Sequence, residues 1–161
     1  MEKWDLYNAK REKAGIVVCR GETIPKGLYH LSVSAWIVNQ QGQYLLSQRH
    51  PKKQYPLCWE CTGGSVLFGE NSLQGAVREV KEELGISLTP GNEKLIYQIR
   101  RENVQDFYYV WLFHKDIKIE EMHLQETEVV DVQWVSPDKL FEMFCLKQLH
   151  PLLTYVEELI G

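Results

Sequence analysis

The chain has 161 residues, of which 44% are apolar and 25% charged, and it carries a formal net charge of −4. That length fits one domain spanning residues 1–161 with a substantial buried core, and nothing in the composition points to disorder. The negative charge argues against a nucleic-acid polymer as partner. No apolar run is long enough to span a membrane, and the first residues lack the apolar core of a signal peptide, so a cytoplasmic protein without a membrane partner is expected.

Met1 to about Lys13 reads as a short helix or arm, whose Trp4, Leu6 and Tyr7 need apolar cover. Gly15 to Arg20 reads as a strand, and the segment from Gly21 to Gly27 as a turn-rich loop. Leu31, Val33, Ala35 and Ile37 alternate with His30, Ser32, Ser34 and Trp36, the period of a strand. Gln40, Gln41 and Gly42 turn that strand into Tyr44 to Gln48, predicting a hairpin. Pro51 to Pro56 reads as loop. Trp59 to Thr62 reads as a short strand feeding a loop that contains Gly63, Gly64 and Gly69.

The next segment carries the chemistry. Leu73, Ala76, Val77, Val80 and Leu84 recur at spacings of three and four, an amphipathic helical stripe. Asn71 can cap its start, with Gln74 three residues on, and Gly85 suits the left-handed position that ends a helix. Glu79, Glu82 and Glu83 then share one face and point outward. Like charges so spaced repel by about 0.2–0.5 kcal/mol per pair, so keeping them together suggests that they hold a cation. Oxygen-only ligands select hard ions, Mg²⁺ first and Mn²⁺ as a substitute. The glycine loop can bring backbone close to a ligand, and the Gly64 carbonyl is a candidate addition to the metal shell.

Downstream, Pro90, Gly91 and Asn92 mark a turn, and Leu95–Arg101 and Phe107–His114 read as paired strands. Val129–Val135 reads as a further strand. Ser136 as N-cap and Pro137 at the first helical position start a helix through Phe144. Pro151 is expected to open a last helix, with Leu149, Leu152, Leu153, Val156 and Ile160 docking on the sheet. Strands mixed with three helices predict an α/β fold, a mixed sheet covered on both faces. Trp36, Trp59, Trp111 and Trp134 read as aromatic core, and one of Tyr108, Tyr109 and Trp111 is expected to line the site. Of the four cysteines, Cys58 and Cys61 form a C-x-x-C, but Cys19 and Cys145 stand alone, so no zinc site is completed. The cysteines are read as buried or half-buried thiols.

From Gly64 to Ile86 the residues fit the pattern Gly-x5-Glu-x7-Arg-Glu-(aliphatic)-x-Glu-Glu-x-Gly-(aliphatic), nine specified positions over 23 residues. This segment closely resembles the signature of the Nudix hydrolases. The resemblance implies an α/β/α sandwich and hydrolysis of a diphosphate linkage in a nucleoside diphosphate derivative or a similar organic pyrophosphate. It implies Mg²⁺ held by Glu79, Glu82 and Glu83, with Arg78 pairing with Glu70 to fix the loop–helix geometry. Bound metal would neutralise phosphoryl charge and activate water for in-line attack. Glu79 or Glu82 is one candidate general base. Family members often place a further glutamate a few residues before a Trp-containing strand, a role that Glu128, six residues before Trp134, can fill, with Glu126 close behind. The catalytic set implied is thus Glu79, Glu82, Arg78 and Glu128.

Arg49, followed by Lys52 and Lys53, ends a strand where a cation would grip a diphosphate. Arg100 and Arg101 end another strand and read mainly as surface charge. One alternative function is isopentenyl diphosphate isomerase, suggested by His30 and by Glu126 with Glu128. That pattern breaks after Trp59, where Cys61 falls two residues early and no histidine follows. The N-terminal Trp-Asp-x-Tyr and the Trp59-Glu60-x-x-Gly63-Gly64 run resemble an isomerase-like branch of the hydrolases. A non-catalytic nucleotide or metabolite sensor is a second alternative, opposed by the complete glutamate set. The substrate's identity is open, as is oligomeric state, for which a homodimer is plausible by base rate.

Overall fold

The structure is a computed structural model that describes residues 1–160. Nine strands and three helices are present among them: β1 (Lys3–Tyr7), β2 (Lys13–Cys19), β3 (His30–Val38), β4 (Tyr44–Arg49), β5 (Trp59–Glu60), β6 (Thr62–Ser65), α1 (Ser72–Leu84), β7 (Lys94–Arg101), β8 (Asp106–His114), β9 (Val129–Val135), α2 (Pro137–Cys145) and α3 (Val156–Ile160). The main sheet runs β5-β4-β3-β8-β7, with β6 also on β3 and β9 also on β4. Only β3 and β8 run parallel, over nine residue pairs; the other pairings are antiparallel, so the sheet is mixed.

Two apolar layers cover this sheet. Leu31, Val33, Ala35 and Ile37 of β3 face one way and pack with Ala76, Val80 and Leu84 of α1. Trp36, on the other parity, packs with Val110, Leu140, Met143 and Val156, on the side of α2 and α3. The result is the expected sandwich, α/β with helices on both faces. Period two on β3 meeting the helical stripe of α1 is the physical basis of the first layer. Burial of each large aliphatic side chain there contributes about 1.5–3 kcal/mol.

Helix α1 ends as its sequence predicts. Asn71 accepts from the Gln74 backbone N–H, the Gln74 side chain accepts in return from the Asn71 N–H, and Gly85 takes φ 69°. Ser136 likewise caps α2 and Pro137 opens it.

Four expectations fail. The first residues form a strand, not a helix: Trp4 and Leu6 are buried while Asp5 between them is not, and β1 pairs with β2. Their apolar cover is a small cluster with Val18, Ile24, Leu28 and Leu67. The last helix begins at Val156, not Pro151. Residues 149–155 instead make a bridge and turns, with the His150 ring taking the Leu152 N–H, so Leu152 turns out to 53% exposure. The β3–β4 hairpin closes only at Val38 opposite Tyr44, after which the strands diverge. Among the cysteines, Cys61 is buried but Cys145 is exposed, against expectation.

Asn71→Ala should lower unfolding free energy by about 1 kcal/mol, measurable by denaturant titration. Burial pushes the Cys61 thiol up to about 12. Iodoacetamide at mildly alkaline pH should therefore label Cys145 in the native protein and reach Cys61 only after denaturation, read by peptide mass.

Candidate active site

The divergence of β3 from β4 creates the site. The chain from Trp59 to Ser65 fills the gap in two pieces, β5 on β4 and β6 on β3. A cavity of about 440 Å³ opens there, and Gly63, Gly64, Glu79, Glu82, Glu83 and Glu128 all contribute to its wall. The glycines are required by close approach. A Cβ on Gly63 would sit 2.5 Å from the Val33 carbonyl oxygen, and one on Gly64 would sit 2.6 Å from Glu79 Cδ.

Arg78 organises the carboxylates. Its Nε donates to Glu70 Oε2 at 2.8 Å and Nη2 to the Ser65 carbonyl at 2.9 Å. Nη1 reaches Glu79 at 3.0 Å and Glu82 at 3.2 Å. Glu70 in turn accepts the Leu67 N–H at 2.9 Å. One guanidinium thus ties the glycine loop to the helix. Burial alone would lower the Arg78 pKa, but Glu70 and Glu79 more than offset it and the net shift is upward.

The acidic face of α1 does not point into open solvent as its spacing suggested. Glu79 and Glu83 are buried, at 9% and 7% exposure, while the Glu82 side chain is half exposed. The reason is tertiary: β6 packs against α1, and the segment before β9 closes over the end of the helix, its Gln125 N–H donating to the Glu83 carbonyl at 2.9 Å. Burial raises the Glu79 pKa, with Arg78 opposing. Burial raises Glu83 well above the ordinary range, and the nearby charges of Glu79 and Glu60 add to it.

Among the described residues, no three acidic, histidine or cysteine side chains form a ready-made metal-binding group. The donor set nonetheless suits a hard cation. It is all oxygen, and Glu83 has no cationic partner among the described ion pairs although it is buried beside other carboxylates. A buried, uncompensated carboxylate is costly unless paired with a cation.

The cavity lining also holds cations, each already paired. Arg49 contacts Glu60 at 3.0 Å and donates from Nε to the Gln54 carbonyl at 2.8 Å. Lys53 pairs with Glu128. Arg101 makes two bonds to Asp106, at 2.8 and 2.6 Å, and lines the cavity rather than only the surface. Of the three aromatics on β8, Tyr108 lines the cavity, while Tyr109 and Trp111 pack on the α1 side.

Sequence reading missed Glu60, Gln125 and His150, all on the cavity wall. Only Glu60 left a signal, inside the Trp59-Glu60-x-x-Gly63-Gly64 run. The residues needed for an isomerase fare worse. His30 stacks on Trp4 with ring centroids 4.2 Å apart, its Nδ1 has no partner among the described residues, and Glu126 is exposed; neither lines the cavity.

Comparison with known proteins agrees with this geometry. The NUDIX domain profile matches residues 28–154. An uncharacterized Nudix hydrolase of Listeria innocua is 39% identical over 142 residues, covering 87% of this chain and 83% of that one. A CTP pyrophosphohydrolase of Escherichia coli is 32% identical over 114 residues, covering 70% and 80%. A Deinococcus radiodurans crystal structure superposes with a TM-score of 0.76 over 97% of this chain and 98% of that one, at 21% identity, a likeness of fold. A MutT protein from Methanosarcina mazei gives 0.64 at 28% identity, covering 82% and 92%. Isopentenyl-diphosphate isomerases match only about half of the chain, 53%. No helix among the described residues is long and apolar enough to cross a membrane. The chain belongs to the Nudix hydrolase family, enzymes that hydrolyse diphosphate-containing substrates.

Proposed function

We propose that this enzyme hydrolyses the diphosphate linkage of a nucleoside diphosphate derivative or a similar organic pyrophosphate, with Mg²⁺ as cofactor and Mn²⁺ as substitute. The observation that carries this reading is the convergence of Glu79, Glu82 and Glu83 on one cavity beside Gly64. Those three side chains, with the Gly64 carbonyl, would hold the cation. When bound, it supplies charge neutralisation at the phosphoryl oxygens and a more acidic water.

The chain's own groups do the rest. Arg78 and Glu70 keep loop and helix in one geometry, so that the carboxylates stay aimed at the cavity. Glu79, Glu82 and Glu128 are the candidate acceptors of the attacking water's proton, all three on the cavity wall. Lys53 holds the Glu128 carboxylate in place. Arg49, fixed by Glu60 and Gln54, offers its remaining N–H groups to phosphate oxygens. The E. coli relative named for CTP makes nucleoside triphosphates the first substrates to test.

The isomerase reading is not supported by the position of His30 or Glu126. Cys61 does line the cavity, but two residues before the position that reading needs. The complete glutamate set also speaks against a sensor without activity.

Phosphate release should be assayed with Mg²⁺ against nucleoside triphosphates, nucleoside diphosphate derivatives, dinucleotides and isopentenyl diphosphate. Chelation with EDTA should abolish turnover, and Mg²⁺ should restore it; metal-independent turnover would defeat the cofactor assignment. Glu82→Gln and Glu83→Gln should each lose at least about a hundredfold in kcat. Glu83→Gln should melt no lower than the parent in metal-free buffer, because it keeps the shape of a carboxyl whose charged form burial disfavours. Full activity in both variants would refute the metal site. Gly64→Ala should displace the Glu79 carboxylate and cost about a hundredfold in kcat/KM, with a nearly unchanged melting temperature.

A further inference from the structure

His150 belongs to neither the box nor any motif in the sequence, yet it is one of the most tightly held side chains on the cavity wall. It is 8% exposed. Its backbone N–H donates to the Trp59 carbonyl at 2.9 Å, and its carbonyl accepts from Leu153 at 3.0 Å. Leu149 beside it bridges Trp59 in parallel register. The ring packs edge-on against Tyr55, with centroids 4.8 Å apart. Nδ1 accepts the Leu152 backbone N–H at 3.1 Å.

That last bond decides the tautomer. A nitrogen that accepts a backbone N–H carries no proton, so the neutral ring's proton sits on Nε2. Nε2 has no hydrogen-bond partner among the described residues and is not shut away from the cavity. Burial, together with the charges of Arg49, Lys53 and Arg101, pushes the His150 pKa down to about 4. The ring therefore remains an uncharged donor at neutral pH.

Arg101 stands on the same wall. Nε and Nη2 are committed to Asp106, which is 1% exposed, and the guanidinium lies 4.3 Å over the Tyr108 ring. Nη1 is left without a partner among the described residues. A fixed N–H donor and a fixed guanidinium lining one cavity match an anionic oxygen acceptor.

We propose that His150 and Arg101 form a phosphate-binding subsite that seats the diphosphate in the cavity the glutamates line, His150 through Nε2–H and Arg101 through Nη1. This deepens the hydrolase reading and rests on it. It makes the two residues specificity determinants that select a diphosphate by its far oxygens and hold it for attack. Burial of the His150 ring in one tautomer means that its donor is present before substrate arrives, without the cost of reorienting it.

The test uses methylenediphosphonate, a diphosphate analogue with a bridge that water cannot cleave, titrated calorimetrically into the full-length protein with Mg²⁺ present. His150→Phe keeps a flat ring against Tyr55 and removes the donor; it should weaken binding about tenfold or more. His150→Gln returns an N–H and should recover part of the loss. Arg101→Lys keeps the charge but loses the fork, and should also weaken binding. Nitrogen NMR of the imidazole should show a neutral ring protonated at Nε2 between about pH 5 and 8. Unchanged affinity in His150→Phe, absence of binding by the parent, or a ring protonated at Nδ1 would each overturn the proposal. Should His150→Phe fail to fold, Arg101→Lys decides: affinity equal to the parent's overturns it. Binding requires no turnover, so a failure here is distinguishable from a failure of the hydrolase assay.

Discussion

Arg78 is the interaction on which the site depends. A single guanidinium bonds to Glu70 and the Ser65 carbonyl in the loop, and to Glu79 and Glu82 on the helix. The fork geometry of arginine suits this, because its donors lie in one plane and point in fixed directions. A lysine in the same place would offer a point charge without the geometry. The pairing also restrains the repulsion among carboxylates that would otherwise push the helix face apart. It does so incompletely, since Glu83 stays outside the network.

The second constraint is the split sheet. A hairpin whose strands paired along their length would leave no opening between β3 and β4. Here the pairing stops after Val38 and Tyr44, and the Trp59–Ser65 segment bridges the two strands in separate pieces. Gly63 and Gly64 let that segment lie against β3 and against Glu79, where any side chain would collide. The N-terminal hairpin then supports the loop from outside: Phe68 donates to the Lys3 carbonyl at 2.7 Å and Gly69 to Asp5 at 2.9 Å. Sheet, glycine loop and hairpin together set where the α1 carboxylates stand.

The cavity lining carries both signs of charge. Glu79, Glu82 and Glu83 line the cavity from α1, and Arg49, Lys53 and Arg101 line it too, each tied to its own acid. Such pairs keep long cationic side chains in place before a ligand arrives, which lowers the ordering cost of binding. A bound cation among the α1 carboxylates would complement Glu83 and present a positive centre to a diphosphate whose other oxygens meet the paired cations.

The sequence by itself determined what depends on local spacing. The α1 stripe, its Asn71 and Gln74 caps, the Gly85 stop and the alternation along β3 are properties of neighbouring residues, and the chain folds as they dictate. The box could be read for the same reason: its residues sit within one loop and one helix. Tertiary structure decided the rest. Whether Glu79 and Glu83 face solvent or a cavity depends on what packs over the helix, and no helical spacing records that. The Trp4–Leu6 alternation was too short to outweigh a helical reading until β2 supplied a partner strand. The apolar spacing after Pro151 looked helical, but the Leu152 N–H went to the imidazole of His150 and the chain turned instead. Arg101 and His150 lie far apart in sequence and meet on one wall only because β7 and the turn after Leu149 reach the same cavity. Side chains brought together by sheet order leave no periodic trace along the chain, since their proximity comes from strand pairing rather than from spacing.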